Sequence, residues 1–111
     1  MKVNTASERY NIEHRVSCEN AQLCEVDIVT LTDLESKNHK KKVYFSGALH
    51  GDEVIGPNAV YYFIEYMLKS ASEPSTQHIL ENVTVILTPM TNAPGYHFNE
   101  REERLSPEAQ A

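Results

Sequence analysis

The chain has 111 residues, a net charge of −6, 41% hydrophobic and 23% charged residues. That length suits one domain, and the hydrophobic fraction supports a packed core. The acidic balance argues against nucleic acid and anionic membrane as main partners, and the basic run Lys40-Lys41-Lys42 reads as a solvated edge beside a turn.

No stretch is long and apolar enough to span a bilayer. The first residues, Met1 to Arg9, show no apolar core of a secretory signal, so the cytoplasm is the default expectation. Cys18 and Cys24 are the only cysteines. They form no C-x-x-C site and are too few for a disulfide framework, so they read as thiols. Asn82-Val83-Thr84 fits a glycosylation sequon. It opens a strand in a chain with no visible signal, which makes coincidence the simpler reading.

In chain order, residues 1–21 read as an N-terminal arm, polar and weakly patterned, with one short strand around His14–Ser17. Gln22 to Asp33 reads as a strand carrying Val26, Ile28, Val29 and Leu31 without Gly or Pro. Leu34 to His39 is a charged turn. Lys41 to Leu49 is a second strand, and its continuous apolar run predicts burial on both faces. The short link between these strands predicts an antiparallel hairpin, because a parallel crossover needs a longer connection.

Gly56-Pro57 opens a helix, with Pro in the first turn where its missing N–H costs little. Val60, Phe63, Ile64, Met67 and Leu68 recur at helical spacing and form one apolar stripe, read as core packing, with Tyr61, Tyr62 and Tyr66 at its borders. Ser70 to Gln77 ends the helix, and His78 to Glu81 is at most one helical turn. Val83 to Thr88 is a third strand, stopped by Pro89. Strand, helix and strand from 43 to 88 make a βαβ unit with parallel strands and a right-handed crossover. The tail from Asn99 to Ala111 has no core-forming pattern.

The chemistry concentrates at the end of the second strand, in His50-Gly51-Asp52-Glu53. An imidazole and a carboxylate three residues apart can reach one metal ion, and strand ends are where α/β proteins place their sites. The bland alternative is a loop whose acids favour the positive end of the following helix. Gly47, Gly51 and Gly56 around the pair, and the strand-to-helix context, favour the metal reading. Two protein ligands leave a catalytic zinc one short of its usual three.

The segment Phe45 to Gly56 resembles the first zinc motif of the M14 zinc carboxypeptidases, in the branch that reads His-Gly-Asn/Asp-Glu followed by a Gly. The family's next landmark is a strand ending in Asn-Pro-Asp-Gly-Tyr/Phe. Here Asn92, Gly95 and Tyr96 match it, while Ala93 and Pro94 depart. The resemblance covers roughly Val26 to Arg104.

That resemblance implies an α/β fold: a partial mixed sheet, with an antiparallel hairpin plus a parallel βαβ unit, in a truncated zinc-carboxypeptidase-like domain whose full form has helices on both faces. Residues 22–111 would be the N-terminal portion of that domain. It implies Zn²⁺ as cofactor, His50 and Glu53 as its first two ligands, and hydrolysis of the C-terminal bonds of peptides or proteins. The second zinc histidine, the Asn-Arg pair that holds the substrate carboxylate and the glutamate base would lie past Ala111, so catalysis by this chain alone is not expected.

Of the family's arginines, only the one that polarises the scissile carbonyl could lie here. Arg101 and Arg104 are the substrate-binding candidates, although gap-free counting from Asn92 falls on Pro107, and the cluster from Glu100 to Arg104 also reads as a solvated charged surface. His97 is the histidine nearest in fold terms to serve as a third ligand. Asp52 either orients His50 or faces solvent. The alternatives are an aspartoacylase- or succinylglutamate desuccinylase-like zinc amidohydrolase, and a non-catalytic binding module built on the βαβ scaffold. Cut sheet edges would make the chain prone to association.

Overall fold

The computed structural model describes residues 3–11 and 25–102. Its elements are β1 (Val3–Asn11), β2 (Glu25–Asp33), β3 (Lys41–Ser46), α1 (Ile55–Lys69), α2 (Pro74–Asn82), β4 (Val83–Thr88) and α3 (Ala93–Phe98). The four strands form one mixed sheet in the order β1-β2-β4-β3. β1 runs antiparallel to β2 along its whole length, from Val3 opposite Asp33 to Asn11 opposite Glu25. β2 is antiparallel to β4, and β3 is parallel to β4, with Val43 opposite Val85 and Phe45 opposite Leu87.

The parallel βαβ unit is therefore present, and the mixed sheet is the expected one. The hairpin is built differently. β2 and β3 do not pair; β4 lies between them. Skipping one strand position spans only about 10 Å, which the link 34–40 can bridge without a tight turn. That link is tied to the end of α2, where the Ser36 hydroxyl donates to the Glu81 carbonyl at 2.7 Å. Its far end is tied to β2 by the Lys40 ammonium, which donates to the Thr32 hydroxyl at 2.7 Å and to the Asp33 carbonyl. β1 supplies the antiparallel partner on the other side of β2. It arises within the segment read as an arm, where the sequence has no apolar alternation. The short strand expected around His14–Ser17, both cysteines and Arg104 lie outside the described residues.

The strand pleat sends alternate residues to opposite faces. On one face Leu31, Val85 and Leu87 meet Val60 and Met67 of α1 and Leu80 of α2 in the core. Val29, Phe63, Ile64 and Val83 pack around it, and the Phe45 and Phe63 rings lie 5.4 Å apart. The helical stripe is thus core packing, as its spacing predicts, except that Leu68 is exposed. Tyr61, Tyr62 and Tyr66 lie in solvent. α2 is longer than its sequence suggests. It starts at Pro74 inside the Ser/Glu/Pro-rich run, with Pro at its first turn, a position that tolerates the missing donor.

β3 departs from its expected burial. It ends at Ser46 rather than Leu49, and Val43, Tyr44 and Phe45 remain 39%, 57% and 43% exposed. The physical reason is its place: in this sheet it is an edge strand with one neighbour, and the helix layer covers only part of it.

Candidate metal centre

The site is built where β3 and β4 end side by side. Gly47 donates its N–H to the Thr88 carbonyl at 2.9 Å, and the Thr91 N–H donates to Gly47 at 3.0 Å. The Asn92 N–H donates to the Ala48 carbonyl at 3.0 Å. Hydroxyls reinforce the junction: Tyr44 with Thr88 at 2.6 Å, Thr88 with Thr91 at 2.9 Å, and Ser46 with Thr91 at 2.6 Å. Ala48, buried between the strand ends, sits at φ 54°. A side chain in this left-handed region costs about 1–2 kcal/mol, so the hydrogen bonds on both sides are what hold the turn that delivers His50.

Gly51 is needed for a different reason. A Cβ there would lie 2.2 Å from the backbone carbon of Gly95 and 2.3 Å from the Glu100 carbonyl oxygen. The loop passes that close to α3, and the Gly51 N–H fastens it to the segment that follows the helix by donating to the Arg101 carbonyl at 3.0 Å. α3 in turn is capped by buried Asn92, whose side-chain oxygen accepts from the Gly95 N–H at 3.0 Å. The Asn92 amide also reaches the Arg101 carbonyl at 3.4 Å. The helix closes on Asn99 in the left-handed conformation.

This packing brings residues 48 positions apart into contact. His50 Nδ1 and Glu53 Oε1 lie 2.8 Å apart. The Arg101 guanidinium donates to the same Glu53 oxygen at 3.2 Å and lies 3.6 Å from Asp52 Oδ1. The His50 hydrogen bond is the main reason the Glu53 carboxyl is held below the ordinary value of 4.5; partial burial opposes it, and Arg101 adds to it. A cavity of about 310 Å³ opens beside the pair, lined by Leu49, His50, Thr91, Asn92, Arg101 and Glu102.

The expected pair is therefore brought together, on one loop, at the end of the expected strand. Neither acid caps α1, which has no acidic residue in its first turn and no side-chain cap. Asp52 turns to Arg101 rather than to His50. His97 stands on α3 against the Phe98 ring and does not join the pair. Asn92 as the cap that fixes Arg101 escapes a reading by chemistry-bearing residue types. Its signal is an Asn directly before Ala-Pro, a helix-start pattern.

An imidazole nitrogen and a carboxylate oxygen, converging and accessible, are the donor types zinc takes, so His50 and Glu53 fit two positions of a zinc shell. Among the described residues no group of three or more His, Cys, Asp or Glu could hold a metal ion.

The fold agrees with comparisons to known proteins. The family model for zinc carboxypeptidase, peptidase M14, matches residues 8–110. Mouse (Mus musculus) carboxypeptidase A6 is 28% identical over 72 residues, which is 64% of this chain and 16% of that protein. Human (Homo sapiens) carboxypeptidase A6 is 30% identical over 67 residues, 60% of this chain and 15% of that protein. The crystal structure of thrombin activatable fibrinolysis inhibitor shares the fold, with a TM-score of 0.69 at 17% identity over 88% of this chain and 25% of that one. The chain thus spans about a sixth of the length of these curated relatives. On the family-model match, over nearly its whole length, the chain belongs to the zinc carboxypeptidase family, peptidase M14.

Proposed function

We propose that this chain is the N-terminal part of a zinc metallocarboxypeptidase domain, with His50 and Glu53 as the first two zinc ligands. The observation that carries this reading is the 2.8 Å approach of His50 Nδ1 to Glu53 Oε1 at the end of β3. When bound, zinc would polarise a scissile carbonyl and lower the pKa of a bound water. The chain's own residues would do the holding. His50 and Glu53 supply a neutral and an anionic donor, the Gly51–Arg101 hydrogen bond fixes their loop, and the cavity beside His50 gives access.

The substrate class would be the C-termini of peptides or proteins. Arg101 and Arg104 are the proposed substrate contacts, and the position of Arg101 at the site's edge supports the first. Residues 22–111 are read as the domain portion and 1–21 as an arm that adds β1 to the edge of its sheet. The third ligand and the general base would come from sequence past Ala111, so hydrolysis by this chain alone is not expected. Gly95 and Tyr96 following Asn92 support a peptidase over the aspartoacylase-like amidohydrolase with a similar motif.

Equilibrium dialysis against zinc tests the reading. The chain should retain zinc, weakly, and the His50→Ala, Glu53→Ala double variant should lose it. Equal retention by both would remove the metal assignment.

A further inference from the structure

Two groups compete for one oxygen at this site. Glu53 Oε1 accepts from both His50 and Arg101, and the Arg101 guanidinium is also within 3.6 Å of Asp52. A divalent cation bound by His50 and Glu53 would need that same carboxylate, and a guanidinium beside it is a rival cation. Arg101 cannot withdraw far. Its carbonyl is pinned by the Gly51 N–H and the Asn92 amide, so only its side chain can move. Asp52 offers the side chain a second carboxylate next to the first.

We infer that Arg101 and Asp52 form a positioning pair for the half-site. Asp52 draws the Arg101 guanidinium off Glu53 when Glu53 binds a divalent cation, and Arg101 tunes the affinity of the site by occupying Glu53 otherwise. The inference rests on the zinc reading of His50 and Glu53, and it gives the unassigned Asp52 a role that acts through Arg101. Both side chains are substantially exposed, at 55% and 39%, so substituting them leaves the core untouched.

The test is a double-mutant cycle read as zinc dissociation constants, from competition with a chromophoric chelator, on the chain and on its Arg101→Gln, Asp52→Asn and doubly substituted variants. Far-UV circular dichroism checks that each remains folded. Arg101→Gln should bind zinc about threefold tighter and Asp52→Asn about threefold weaker, the scale of exposed charge pairs. With Arg101→Gln already in place, Asp52→Asn should change affinity by less than about 1.5-fold, because its work is done through Arg101.

Unchanged or weaker binding by Arg101→Gln overturns the inference. So does an Asp52→Asn effect of the same size in both backgrounds, since that describes a nearby charge acting directly. The His50→Ala, Glu53→Ala variant, titrated in parallel, separates the two levels. If it binds zinc as the wild type does, the metal site itself falls; if it loses zinc while the cycle is additive, only the Arg101–Asp52 role falls.

Discussion

Glu53 is the residue on which the site turns, because it takes a hydrogen bond from His50 and an ion pair from Arg101 on one oxygen. Both partners favour its charged form, and the His50 bond contributes most to holding its carboxyl below 4.5. A carboxylate depressed in the folded state supports that state above its unfolded pKa, and the support is lost as pH falls through the lower, folded value. A carbon-detected NMR titration of the Glu53 carboxyl should therefore give a midpoint below 4.5. His50→Ala should move the midpoint up toward that value, and a midpoint indifferent to His50 would contradict the contact. The pairing of His50 with Glu53 was legible in the sequence because both sit on one short turn after an apolar strand. The direction of Asp52 was not. It depends on Arg101, which local spacing cannot place beside residue 52.

At the scale of elements, α3 does that placing. It is short, and one buried side chain, Asn92, both caps it and reaches the Arg101 carbonyl. Asn92→Ala should cost about 1 kcal/mol, as loss of a helix N-cap does, and chemical denaturation would measure it. The same variant should weaken the Arg101–Glu53 contact; retention of full stability would show that the cap is not needed. β4 was read at its observed bounds, Val83–Thr88, and α1 within a residue or two, because β-branched runs and helical stripes are local patterns. Strand pairing was not readable in the same way. The short link after β2 suggested a hairpin, but β4 occupies the place beside β2, a choice settled by packing Leu31 against Val85 and Leu87 in one core. α2 and α3 each carry a proline in the first turn, Pro74 and Pro94, and both are too short to show an apolar stripe like that of α1.

Across the whole molecule, the sheet has a well-packed centre and an apolar edge. β3 carries Val43, Tyr44 and Phe45 in the pattern of a strand covered on both faces, yet it lies at the rim. Its exposure follows from that place: in this sheet β3 has one neighbour, β4, and the helix layer covers only part of it. At the end of β3 His50 and Glu53 meet, and among the described residues no third metal-binding side chain joins them. The central claim is that this pair is a metal site. Long-range ¹H–¹⁵N NMR of the histidine rings during zinc titration tests it most directly. The account predicts that the His50 ring nitrogens shift on zinc addition while those of His39, His78 and His97 stay in place, and that Glu53→Gln weakens the His50 response. A His50 ring that ignores zinc, or one that responds no more than the chain's other histidines, would contradict it.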